Sequence, residues 1–291
     1  MFKGSMTALI TPFRDGNVDE KAFQSFVEWQ IEQGTHALVP VGTTGESPTL
    51  SHTEHKRVVE LCVEATAGRV PVIAGAGSNS TEEAIAFTKH AETSGADGAL
   101  SVCPYYNKPS QQGMYLHFKA VAESADIPIL IYNIPGRSVA DLSIETMAKL
   151  ANIQNIVGVK DATADLSRPL AGRLAIGDEF LQISGEDATI AAFLAQGGHG
   201  CISVTSNVAP KECADLHNAW QRGDMERFNT LRDLLMPLHE AIFCEPSPAP
   251  AKYGVHLLRE LSYDVRLPLT SLTKTGQAKM RDAMVKVGVI N

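Results

Sequence analysis

The sequence predicts a single (β/α)8 barrel with a C-terminal helical extension, and three observations predict it. Eight short apolar runs recur as far as Val204, segments of helical periodicity lie between them, and no dinucleotide-binding glycine fingerprint accompanies them. The runs are Met6–Ile10, Ala37–Val41, Pro71–Ala74, Ala99–Cys103, Pro128–Tyr132, Ile156–Lys160, Leu181–Ser184 and Cys201–Val204. They are almost continuously apolar, as parallel strands buried on both faces must be.

Each run is followed by a segment read as helix, among them Glu20–Gln33, Thr53–Ala65, Glu82–Ser94, Gly113–Ala125 and Ala188–Gln196. Ser51-x-x-Glu54 and Ser80-x-x-Glu83 have the spacing of capping boxes, in which a hydroxyl and a carboxylate satisfy each other's free backbone N–H groups. An open doubly wound sheet has the same periodicity. However, Gly75-Ala-Gly77 lacks a third glycine, and Gly197-Gly-His-Gly200 precedes a strand instead of opening a helix, so neither suits a pyrophosphate. After Val204 the alternation stops. Residues 1–209 are therefore expected to form the barrel and residues 210–291 a helical extension packed on it as one structural unit, with Pro246, Pro248 and Pro250 stiffening a connection.

Composition narrows the function. The 291 residues carry a net charge of −8 and no basic stripe, which argues against a nucleic-acid partner. No stretch nears the roughly 18 apolar residues of a membrane span. The N-terminal stretch, Met1 to Arg14, has no basic start leading into a long apolar segment, so no secretory signal is expected. The five cysteines, Cys62, Cys103, Cys201, Cys213 and Cys244, are odd in number and have no C-x-x-C spacing, which fits reduced thiols in a cytoplasm. No H-E-x-x-H or clustered ligand set is present, and no metal or other cofactor is expected.

In a barrel, chemistry sits at the C-terminal strand ends and the loops that follow them. There the sequence places Gly42-Thr-Thr-Gly-Glu46, Pro104-Tyr-Tyr-Asn-Lys108, Tyr132-Asn-Ile-Pro-Gly-Arg137, Lys160-Asp161 and Thr205-Ser-Asn207. A strand-end lysine such as Lys160 can snorkel to solvent or join an ion pair. With apolar neighbours at a barrel mouth it can instead be desolvated, which favours the neutral amine that attacks a carbonyl. Tyr132 ends the preceding strand and can relay protons, or simply pack at the rim. Thr43 and Thr44, flanked by glycines, either form a plain turn or offer backbone N–H groups to a carboxylate. Arg137, after a Pro-Gly turn, is either a surface arginine or a clamp for a second carboxylate.

Taken together, these peptides resemble the dihydrodipicolinate synthase and N-acetylneuraminate lyase superfamily over essentially the whole chain. Pro104-Tyr-Tyr-Asn-Lys-Pro-Ser110 and Gly200-Cys-Ile-Ser-Val-Thr-Ser-Asn207 are most similar to the dihydrodipicolinate synthase branch. The resemblance implies condensation of pyruvate with L-aspartate-4-semialdehyde. It implies Lys160 as the Schiff-base lysine, and Tyr132, Thr43 and Tyr106 as a hydroxyl relay. It assigns Thr44, Arg137, Gly185 and Ile202 to substrate binding. Tyr106 would reach into a neighbouring subunit of a dimer or a dimer of dimers. It further implies an L-lysine inhibitor site formed by Ser47, Pro48, His52, His55, Asn79, Glu83 and Tyr105. His52 and His55, at i and i+3, would share a helix face. The chain departs from the family at Asp161 (often Glu), Ser138 (often Thr), Cys201 (often Val) and Pro48 (Ala in lysine-sensitive members). The nearest alternative is another pyruvate-dependent aldolase, acting on N-acetylneuraminate or keto-deoxy sugar acids, against which Arg137 and the Tyr105-Tyr106-Asn107 loop argue.

Overall fold

The computed structural model describes residues 2–291; Met1, which opens the N-terminal stretch considered above, lies outside them. Eight parallel strands alternate with helices, the (β/α)8 class that the apolar runs predict. In chain order the strands are β1 (Gly4–Ala8), β2 (Ala37–Val39), β3 (Ile73–Gly75), β4 (Gly98–Val102), β5 (Ile129–Asn133), β6 (Ile156–Asp161), β7 (Leu181–Ser184) and β8 (Gly200–Ser203). The helices between them are α1 (Glu20–Glu32), α2 (His52–Thr66), α3 (Thr81–Thr93), α4 (Gln111–Ala122), α5 (Ile144–Leu150), α6 (Arg168–Ile176) and α7 (Ile190–Ala195). Four more follow β8: α8 (Pro210–Arg222), α9 (Met225–Ala241), α10 (Ala249–Arg259) and α11 (Lys274–Val287).

The chain groups into two compact units, one of Phe2 and Lys3 with Pro71–Ile202, the other of Gly4–Val70 with Ser203–Asn291. In the first, β3 to β8 pair in chain order, every pair parallel. Their residues are almost all buried, as the unbroken apolar runs require. In the second, β1 pairs with β2 in parallel, and a short hairpin, Phe13–Arg14 with Asn17–Val18, turns at Asp15-Gly16. Both turn residues have positive φ, 51° and 79°, the geometry that an Asp-Gly pair favours in tight hairpins. Helix α8 packs on α9, and α9 and α10 pack on α11. On α9, Leu231, Leu235 and Leu238 recur at helical spacing and are buried, each contributing roughly 2 kcal/mol through removal of apolar surface from water.

Where the elements differ from the sequence reading, backbone chemistry explains several of the shifts. Strand β2 stops at Val39, not Val41, because Val41 takes φ 49°, outside strand geometry. Strand β3 begins at Ile73, not Pro71, since proline has no N–H to pair. Helices α5 and α6, seven and nine residues long, fall outside the helical ranges named from the sequence. Ser51 and Glu54 form the full capping box expected of α2. At α3 only half of the expected box forms. Ser80 accepts from the Glu83 N–H, but the Ser80 N–H donates to Ser78 Oγ (3.0 Å), and the Glu83 carboxylate accepts from Ser78 Oγ instead.

Glu54 has a second task. Its carboxylate receives two hydrogen bonds from the Arg266 guanidinium, at 2.5 and 2.9 Å. Those bonds hold its carboxyl well below the ordinary 4.5, at about 2. A depressed carboxyl pKa stabilises the fold above the unfolded value, and that stability is lost as pH falls through the folded value. Glu54→Gln is therefore expected to lower stability at neutral pH by about 2 kcal/mol, allowing for partial exposure. Urea midpoints of parent and variant should keep their gap above the unfolded value of 4.5 and converge as pH falls from there to about 2, and a gap that stays constant would contradict the assignment.

Candidate active site

In the first unit, strand pairing sets the geometry. Tyr132 on β5 lies directly across from Lys160 on β6. The register shifts between Ile129, which pairs with Ile156, and Leu130, which pairs with Gly158, so β6 carries one extra residue, Val157. Without this bulge Tyr132 would face Val159, and the lysine would fall out of register with it. Both side chains are buried, at 6% and 7% exposure. Lys160 Nζ stands 4.1 Å from the centre of the Tyr132 ring, within cation–π range.

Gly185, just past β7, keeps this space open. A Cβ there would lie 2.6 Å from Ala162 Cβ and 3.1 Å from Lys160 Cε. Ile202 is fully buried on β8. Asp161, on the opposite face of β6 from Lys160, accepts from Arg168 Nε (2.8 Å) and from the Thr163 N–H and hydroxyl (2.9 and 2.6 Å). It thereby fixes the loop that leaves the strand. Arg137 is exposed on a single helical turn, Pro135–Ser138. The Ser138 hydroxyl closes that turn with one proton shared between two carbonyls, Ile134 O (2.9 Å) and Ala140 O (2.8 Å).

The loop after β4 turns its aromatic residues outward. Tyr106 is 88% exposed and Tyr105 37%. Tyr106 has φ 71°, a left-handed conformation that costs a bulky residue roughly 1–3 kcal/mol. Asn107 anchors the loop by donating from Nδ2 to Asn79 O (2.9 Å).

In the second unit, the Thr43–Thr44 peptide sits in a tight turn. Gly45 N–H donates to Gly42 O and Glu46 N–H to Thr43 O, both at 3.1 Å. Val41 and Glu46, which bracket the turn, take φ 49° and 58°. Gly45 is required because a Cβ there would lie 2.9 Å from Val41 N. Thr44 is buried and Thr43 half-buried. Beyond the turn, Ser47 and Pro48 lie in a 3-10 turn whose first residues suit the fixed φ of proline. On α2, His52 is exposed and His55 buried. Among the described residues, no three His, Cys, Asp or Glu side chains converge to hold a metal ion.

The model of the dihydrodipicolinate synthetase family matches residues 1–287 of the chain. The chain belongs to the dihydrodipicolinate synthetase family. It is 62% identical over 290 residues to the 4-hydroxy-tetrahydrodipicolinate synthase of Rhodospirillum centenum, covering 100% of both chains. Among solved structures, it is similar to the chloride-inhibited dihydrodipicolinate synthase of Acinetobacter baumannii complexed with pyruvate, with TM-score 0.97, 44% identity and 100% of both chains covered. It is also similar to the enzyme of Cyanidioschyzon merolae with lysine bound, with TM-score 0.95, 40% identity and 99% of both chains covered.

Two of this family member's departures leave their local tasks filled: Asp161 binds Arg168, and Ser138 closes the Arg137 turn. The sequence reading passes over Glu186, which follows Gly185. Burial and then Asp187 push its carboxyl above the usual range, while Lys160 and Arg137 pull it back. It thus shares an electrostatic field with both predicted cations, and the signal available in the sequence was a pair of carboxylates, Glu186-Asp187, directly after the glycine that follows strand seven. Glu46 stands in the sequence only as the last residue of the Gly42-Thr-Thr-Gly-Glu46 peptide, and nothing in the local pattern sets Lys252 apart.

Proposed function

We propose that Lys160 is the residue through which this synthase-family lyase condenses pyruvate with L-aspartate-4-semialdehyde to 4-hydroxy-tetrahydrodipicolinate. The observation that carries the assignment is a buried lysine at a strand end, in register with a buried tyrosine and 4.1 Å from its ring. The neutral amine adds to C2 of pyruvate, and the carbinolamine loses water to give a protonated imine. That imine is an electron sink, so loss of a C3 proton gives an enamine. The enamine attacks the aldehyde of the second substrate, whose own amine then closes the ring on C2 and displaces Lys160. Tyr132, Thr43 and Tyr106 carry protons in these steps. Thr43 and Thr44 hold the pyruvate carboxylate, Arg137 holds that of the semialdehyde, and Gly185 and Ile202 line the substrate. The relatives and neighbours named above all carry the synthase name, so the sugar-acid aldolase alternative gains no support from them.

The outward, strained Tyr106 supports an assembly in which a second copy receives it, a homotetramer built as a dimer of dimers. Bound lysine in the Cyanidioschyzon merolae enzyme supports L-lysine as an inhibitor here, and the residues proposed to hold it, from the family resemblance, are Ser47, Pro48, His52, His55, Asn79, Glu83 and Tyr105. Among the described residues, no helix is long and apolar enough to cross a membrane. Five free thiols fit a reducing cytoplasm.

Borohydride reduction with pyruvate is expected to label the Lys160 peptide, and Lys160→Ala should abolish the label. A label on another lysine, such as Lys108, would refute the assignment. Tyr106→Phe is expected to slow turnover by roughly 10²- to 10⁴-fold, the contribution of a proton relay. Mixing it with Lys160→Ala subunits should restore activity, and proven subunit exchange without restoration would count against a shared site. Initial rates at saturating pyruvate should fall across millimolar L-lysine. Unchanged rates, with no binding by calorimetry, would remove lysine as a regulator, whereas inhibition that survives Glu83→Ala with His55→Ala would place it elsewhere.

A further inference from the structure

The Thr43–Thr44 turn is held in its shape from one end by an unusual buried charge system. Glu46, which closes the turn, and Lys252, from helix α10, form an ion pair in which neither side chain is exposed at all. The second carboxylate oxygen of Glu46 accepts from the Arg266 N–H (2.9 Å). Lys252 Nζ also donates to Asp264 O (2.6 Å) and lies 4.0 Å from the centre of the Phe13 ring. The Arg266 guanidinium packs on the same ring at 4.3 Å and donates to Thr49 O (2.9 Å) and Gly16 O (2.7 Å) while pairing with Glu54. Two carboxylates therefore meet two cations around one aromatic ring. Burial pushes the Lys252 ammonium down to about 8, against the pull of Glu46.

Such a pair is a poor source of stability, because desolvation offsets most of the attraction, but removing one partner strands the other charge in an apolar interior. What it does supply is geometry. Glu46 sits at φ 58°, a conformation that a non-glycine residue keeps only where its surroundings over-determine it. Its side chain is gripped from Lys252 and Arg266, and its backbone N–H bonds Thr43 O while its carbonyl accepts from the Thr49 N–H (3.0 Å) and hydroxyl (3.1 Å). Any shift of the carboxylate moves the peptide that carries both threonines.

We infer that Lys252 is a positioning residue for the pyruvate carboxylate, acting through Glu46 on the Thr43–Thr44 turn. The inference rests on the reading that this turn binds that carboxylate. Removing the lysine charge loosens the turn without touching Lys160, so the defect falls on pyruvate. The second substrate, held by Arg137, is affected less.

The test compares Lys252→Met, Glu46→Gln, the double variant, Lys252→Arg and Thr44→Val in the full-length enzyme, reading KM for each substrate, kcat and thermal unfolding. Lys252→Met and Glu46→Gln are expected to raise the pyruvate KM at least about 10-fold, given the steep cost of misplacing a bound group, with the semialdehyde KM changing less than about threefold. Lys252→Arg, which keeps a cation, should lie between parent and methionine variant. If a single variant does not fold, the double variant, which strands no charge, should fold and show the same pyruvate defect. Folded variants with an unchanged pyruvate KM, or with both KM values raised equally, would overturn the proposal. So would a failure of all the Lys252 and Glu46 variants to fold, since the pair would then serve folding alone. An unchanged pyruvate KM in Thr44→Val would instead refute the underlying reading of the turn, whatever Lys252 does.

Discussion

One extra residue in β6 decides which side chains meet at the predicted catalytic lysine. Parallel pairing fixes partners in register, and side chains alternate between faces with a period of two, so a slip of one position exchanges an inward residue for an outward one. The bulge at Val157 puts Lys160 opposite Tyr132 and leaves Asp161 to bind Arg168 on the other face. Strand β7 then continues the register, Lys160 against Ile183, and its end delivers Gly185 where a side chain would strike the lysine stem. The space around the amine is thus a consequence of backbone pairing more than of any single side-chain contact.

The two compact units solve different problems. The first holds the proposed Schiff-base lysine, Lys160, on buried strands, and the charges of Lys160 and Arg137 both act on Glu186. The second supplies a strained turn, with Val41 and Glu46 in left-handed conformations around the two threonines. Strain of this kind concentrates at functional sites because it holds polar groups in directions that a relaxed chain would not keep. Here it is balanced by the Lys252 ion pair and the Arg266 N–H on the carboxylate that closes the turn, an arrangement that favours geometry over stability.

The strain at Tyr106 is of another kind. A bulky aromatic residue that is 88% exposed in a left-handed conformation gains little from its own chain. Its outward presentation is the observation on which the proposed sharing of Tyr106 between subunits rests. Its neighbour Asn107 is tied back through Asn79 and Tyr105 is far less exposed, which leaves Tyr106 as the projecting member of the three.

The sequence by itself determined the fold class, through eight apolar runs with helical periods between them, and it offered Lys160, a lysine ending an apolar strand, as the candidate for the covalent group. It also showed Tyr132, Arg137 and the threonine pair, because strand ends are where a barrel carries its chemistry. Local patterns reached the α2 capping box but misjudged the one at α3, where the competing hydroxyl of Ser78 comes from just outside the pattern. Only the tertiary structure decided the rest. The Val157 bulge leaves no mark in an apolar run, since register is set by the partner strand. Glu46 has its carboxylate bound by a backbone group 220 residues away, a distance at which composition and spacing carry no signal. Lys252 reads in sequence as an ordinary helical lysine. It becomes a buried cation because folding brings Phe13, Glu46 and Asp264 around it, and burial is a property of packing that no single segment contains.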